Sequence, residues 1–159
     1  MMQAAELAGL FAGHALWCIA DGGDLIPMLA HQSHGERSMA RLANEDAGQA
    51  VEWGREQLVA NEMQAEDAAL IYQGHLTLDD HEQNALIIEQ RAYFLPGSEV
   101  VIAIPYEPQE SGKFRVRLPV VLVWEGCDDF DLNEVMSAFF NGVANHKHGW
   151  AVWNEAFQE

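Results

Sequence analysis

Leu7, Leu10, Phe11 and His14 fall at the i, i+3, i+4, i+7 spacing of one helix face, so the chain opens with a predicted amphipathic helix over residues 3–15. A short apolar run from Leu16 to Ile19 follows, stopped by Asp21-Gly22-Gly23-Asp24, whose glycines suit a turn. A second apolar run, Leu25 to Ala30, precedes His31-Gln32-Ser33-His34-Gly35, and Met39 and Leu42 resume the pattern beyond it. This reads as a β-hairpin with the histidines at its tip. Pro27 cannot donate a ladder hydrogen bond, which places that strand at a sheet edge. Asn44 then serves as an N-cap, Glu45 and Asp46 suit the first helical turn, and Ala47, Val51, Gly54 and Leu58 trace the inner face of a helix over residues 45–60.

The middle of the chain changes to period two. Leu70, Tyr72, Leu76 and Leu78 alternate with Ile71, Gln73, His75 and Thr77, and Asp79-Asp80-His81 makes the turn. Strands follow over residues 85–94, 100–106 and 114–124, with Pro96-Gly97 as a turn and Pro119 forcing a bulge or an edge position in the last. Asp131 with Glu134 fits an N-cap and N3 acid, and Leu132, Val135, Met136, Phe139, Phe140 and Val143 continue at helical spacing towards Gly149. Trp150, Trp153 and Phe157 mark a short last helix. Helices and strands in this order, joined by short connections, predict a single α+β domain over 1–159: a mostly antiparallel sheet of about six strands with amphipathic helices packed on one face.

Composition changes this picture through charge. The 159 residues hold 8 Lys and Arg against 25 Asp and Glu, a formal net charge of −17. Nucleic-acid phosphates and anionic membrane surfaces would be repelled, so neither is an expected partner, whereas a basic protein would be attracted. The same acidity also serves solubility. Cys18 and Cys127 form no CxxC pair and fit a reducing cytoplasm. Residues 7–20 imitate the apolar core of a secretory signal but lack its basic start.

Candidate chemistry is sparse. His31 and His34 stand in HxxH spacing and would offer two nitrogens to a metal if a carboxylate such as Glu36 joined them. Asp21 and Asp24 pair across glycines, with His14 and Cys18 nearby in sequence. His146-Lys147-His148 would place cationic groups at the end of the preceding helix. Asp129, Asp131 and Asn133 begin like a calcium loop, but Glu134 and Phe140 stand where that loop needs Gly and a bidentate Glu, so these acids read as a helix start. No nucleotide-binding or hydrolase motif is present, and no cofactor is predicted.

Two functional expectations result. The first is a non-catalytic acidic protein that binds a basic protein partner, as immunity proteins, secretion chaperones and nucleic-acid mimics do. The element order is loosely similar to that of acidic type III secretion chaperones, a likeness of architecture that carries no motif. The second is a small enzyme or ligand-binding domain with a His/Asp site near residues 21–36. Strand edges near Pro27 or Pro119 and the aromatic tail would also let two copies pair as a homodimer.

Overall fold

Residues 2–19 contain seven alanines or glycines between larger apolar groups, and such a helix can be buried on more than one side because its backbone can be approached closely. The computed structural model, which describes residues 1–158, realises this. Helix α1, Met2–Ile19, buries Ala4, Ala5, Leu7, Ala8, Gly9, Ala12, Gly13, Ala15, Leu16 and Ile19. The stripe expected from Leu10, Phe11 and His14 is only half buried, and the helix runs on through the segment expected to leave it. Burial selected the small residues, which no amphipathic pattern displays. The helix is not long and apolar enough to cross a membrane, nor is any other among the described residues.

The strands are β1 Met28–Ser33, β2 Glu36–Arg41, β3 Asp67–Leu78, β4 His81–Ala92, β5 Glu99–Glu107, β6 Arg115–Val116 and β7 Val120–Glu125. They form one antiparallel sheet in the order β2-β1-β3-β4-β5, with β6 and β7 both paired to β5. Pro119 splits the expected strand over 114–124 into β6 and β7, and β7 carries a bulge at Leu122. Pro27 lies just before β1, and its carbonyl accepts from Leu42 N–H. Strand β1 is therefore an inner strand and β2 is the edge, contrary to the expectation drawn from Pro27. Both hairpins close through two residues with positive φ, His34-Gly35 at 53° and 80° and Asp79-Asp80 at 51° and 64°. This is the turn whose twist suits paired strands.

The remaining helices are α2 Ala47–Ala60, α3 Leu132–Asn145 and α4 Lys147–Ala156. Ala69, Ile71, Leu86, Ile88, Val100, Ile102 and Ile104 point from the sheet to α1, and α3 and α4 pack on the other side of that helix, contributing Val135, Phe139, Val143 and Trp153 to the same core. Leu29, Ala68 and Leu70 project the opposite way to a smaller core with Ala50 and Leu58 of α2. Helices thus lie on both sheet faces rather than on one, because β1 and β3 are apolar on both sides and their second face needed a cover.

The contact of α1 with α3 and α4 is made by backbone. A Cβ at Gly9 would fall 1.8 Å from the carbonyl oxygen of Phe139, one at Gly142 would fall 2.1 Å from that of Glu6, and one at Gly149 would fall 2.3 Å from that of Gly13. Gly142→Ala is therefore expected to lower unfolding free energy by about 3 kcal/mol through overpacking, while Ala144→Ser on the exposed face of α3 stays within about 0.5 kcal/mol. Urea denaturation checks this. Equal midpoints for the two variants would contradict the packing described.

Candidate functional site

The residues expected to carry chemistry are dispersed. His31 lies within β1, not at a hairpin tip, and lines a cavity beneath α2, whereas His34 occupies the turn and meets Glu66 through its backbone N–H and its ring. Side chains alternate faces along a strand, so HxxH spacing sends the two imidazoles apart. Asp21 and Asp24 are both exposed in the turn after α1. Asp131 caps α3, accepting from Asn133 N–H at 2.8 Å and Glu134 N–H at 3.3 Å. Among the described residues, no group of three or more His, Cys, Asp or Glu is gathered so as to hold a metal.

Two arrangements stand out instead. The first is built on α2. Asp46 caps this helix, accepting from Gly48 N–H at 2.9 Å, and Gly54 leaves room for Leu42 and Leu70 to reach its underside. Arg55 crosses to the sheet and donates to buried Glu89 through Nη2 at 2.7 Å and Nε at 3.0 Å, while the Tyr72 hydroxyl donates to the same carboxylate at 2.6 Å. Burial pushes the Glu89 carboxyl up, but the hydrogen bonds from Arg55 and Tyr72 outweigh it and leave the group below its ordinary 4.5. Burial and the Glu89 carboxylate push the Tyr72 hydroxyl up to about 12. Tyr93 donates to Leu58 O at the far end of the helix, and Asn61, in left-handed conformation, ties the following loop through Ala65.

This clamp fixes α2 above the sheet and leaves a cleft of about 110 Å³ at its carboxyl end, lined mainly by Leu29, His31, Trp53, Leu58, Met63, Ala68 and Tyr93. Trp53 is 51% exposed and Met63 62%, so the cleft opens onto apolar surface. Glu62 borders it, whereas Glu52, Glu56 and Val59 line a separate surface of α2; none of the three acids has an ion-pair partner among the described residues. The arginines on this side are occupied, Arg55 by Glu89 and Arg91 by Glu99. Arg37 and Arg41 of β2 stand opposite Gln32 and Met28, on the face turned to α1.

The second arrangement lies at the junction of α3 and α4. His146 is the N-cap of α4, its Nδ1 accepting from Gly149 N–H at 2.9 Å. The sequence suggested a cation closing the preceding helix; the ring instead serves the next one as a neutral acceptor. Its Nε2 lies 3.3 Å from Nδ1 of His14, whose Nε2 lies 3.6 Å from Cys18 Sγ. Trp17, 46% exposed, stacks on His148 with ring centroids 4.6 Å apart. Burial raises the Cys18 thiol, and because His146 Nδ1 is an acceptor, the proton on its Nε2 occupies His14 Nδ1. His14 then carries its own proton on Nε2, facing sulfur. A base for the thiol would need that nitrogen free, so in this order of donors His14 does not serve as one. The isolated motif His14, Trp17 and Cys18 is readable in sequence, but its partner His146 is 132 residues away.

Arg55→Met should lower stability by about 2 kcal/mol, since Glu89 stays buried with only Tyr72 to satisfy it. The sign of the pH effect follows from the lowered carboxyl: stability from Glu89 is complete above 4.5 and is lost as pH falls through the folded value. Glu89→Gln should lack that component of acid destabilisation. Denaturant midpoints measured from pH 7 to pH 3 check this, and parallel curves for the wild type and Glu89→Gln would contradict it.

The chain matches no protein-family model, and no curated protein or solved structure shows a significant match to it.

Proposed function

We propose that this protein is a non-catalytic binding protein whose partner is a basic polypeptide segment carrying one apolar anchor side chain. The observation that carries this reading is the surface at the carboxyl end of α2, where an apolar cleft opens among Trp53, Leu58 and Met63 beside Glu62. Exposed apolar groups of this size grouped around a cleft mark an interaction site more often than isolated ones do. The cavity of about 110 Å³ is somewhat smaller than the ~150 Å³ cavity known to take a benzene ring, which suits one aliphatic side chain. The acid at its rim favours a cationic flank, and the net charge of −17 accelerates the encounter at low salt.

The test uses Lys-flanked and Arg-flanked peptides with a central Leu, compared with the same peptides carrying Ser at that position. Amide chemical shifts should move around Trp53, Leu58 and Met63, and affinity should fall with added salt. Trp53→Ala should weaken binding by about tenfold or more, and Glu62→Lys should weaken binding and reduce its salt dependence. Shifts confined to another surface, or equal binding of the Leu and Ser peptides, would refute the reading.

A further inference from the structure

The imidazoles at the α3–α4 junction lie on the opposite side of the sheet from the α2 cleft, and their protons are ordered by one backbone group. Gly149 N–H is among the first amides of α4, which have no partner inside the helix. It donates to His146 Nδ1, so that nitrogen is unprotonated and the neutral ring holds its proton on Nε2. That proton points to His14 Nδ1, and His14 in turn presents an Nε2 proton to Cys18 Sγ. All bonds run one way, from Gly149 through both rings to sulfur, and neither ring keeps a free lone pair.

We propose that this chain of hydrogen bonds is a proton-sensitive latch: it holds α4 against α1 while both imidazoles are neutral and releases α4 when either is protonated. A proton added to His146 must go to Nδ1, where it faces Gly149 N–H and removes the cap. A proton added to His14 must go to Nδ1, where it faces the Nε2 proton of His146. Each addition opposes two donors in a site where neither can move aside. Gly149 already sits against the backbone of Gly13, and Gly13 lies below His146. Relief therefore requires displacement of the first turn of α4.

The surrounding groups reinforce this. From α1 come Trp17 and Cys18, from α4 comes His148, and from β2 comes the charge of Arg41; α3 contributes Val143, which does not titrate. Asp21 acts on Cys18 rather than on the imidazoles. A second proton would set two cations on rings whose centroids are 5.3 Å apart. Burial, then Arg41, keeps His14 below its ordinary 6.5, and burial, then His14 and His148, does so for His146. The unfolded chain takes up these protons first. The latch is accordingly at full strength above 6.5 and weakens as pH falls below that value.

Hydrogen exchange of the intact protein at pH 8 and pH 5, corrected for intrinsic rates, tests the latch. Protection at Gly149, Trp150 and Trp153, relative to β4, should fall by about tenfold or more at pH 5. His146→Asn keeps a capping oxygen without a titrating ring and should change by less than about twofold. His14→Gln supplies the same comparison should His146→Asn not fold. Imidazole ¹⁵N shifts at pH 8 should place both protons on Nε2. Unchanged α4 protection in the wild type, the same loss in the variants, or a proton on Nδ1 of His146 would overturn the proposal.

Discussion

The contact on which the rest of the structure depends is the backbone-to-backbone approach of α1 to α3 and α4. Gly9, Gly13, Gly142 and Gly149 each stand where a side chain would meet main-chain atoms or, at Gly13, the Cβ of His146. Because the contact pairs Gly9 with Phe139 and Gly13 with His146, the two helices run side by side in the same sense. Helix α1 is thereby enclosed between the sheet and an outer helical layer. Its burial fixes where the sheet must be apolar, and its far end fixes where α3 must stop so that α4 can turn back across Gly13. The pairing of His14 with His146 is a by-product of that turn.

The opposite sheet face is organised by electrostatics more than by packing. Its apolar cluster is small, and α2 is anchored by one guanidinium reaching a buried carboxylate, with a tyrosine completing the carboxylate's shell. Arg55 is consumed in this role, so its charge is matched by Glu89 while Glu52 and Glu56 beside it have no ion-pair partner among the described residues. The feature that holds the helix in place is thus also the one that leaves these acids unmatched.

Much of the architecture was legible in the sequence. The long central strands appear as period-two alternation around Asp79-Asp80, and α3 appears as an Asp131 cap followed by apolar residues at helical spacing. What misled was of three physical kinds. Alanine and glycine carry no amphipathic signal, so α1 was read from its partly exposed stripe. His34-Gly35 adopts a turn usually announced by Asn-Gly, so the sequence suggests a hairpin tip at His31 where the structure has a strand, and its imidazole faces away from His34. The apolar residues of β1 and β3 on their second face, covered by α2, were read as part of a single-faced pattern. The functional surfaces were the least legible. The cleft needs Leu29, Trp53 and Tyr93 brought together from separate elements, and the imidazole pair joins residues 132 apart. In each case the residue types were visible but their meeting was a property of topology.

The two outer strands of the sheet are unlike each other. The β2 edge carries the charged residues Glu36, Arg37 and Arg41, whereas β7 and the segment before it show Leu118 and Leu122 at 60% and 42% exposure. Only the bulge at Leu122 interrupts the β7 edge, which a neighbouring chain would otherwise extend. Repulsion between bodies of charge −17 opposes pairing at that edge more than the shape of the edge does. Such repulsion reaches only about 10 Å at 0.1 M salt. Colloidal stability in this fold is a property of the medium as much as of the chain, greatest in dilute neutral buffer and least near the isoelectric point of 4.5.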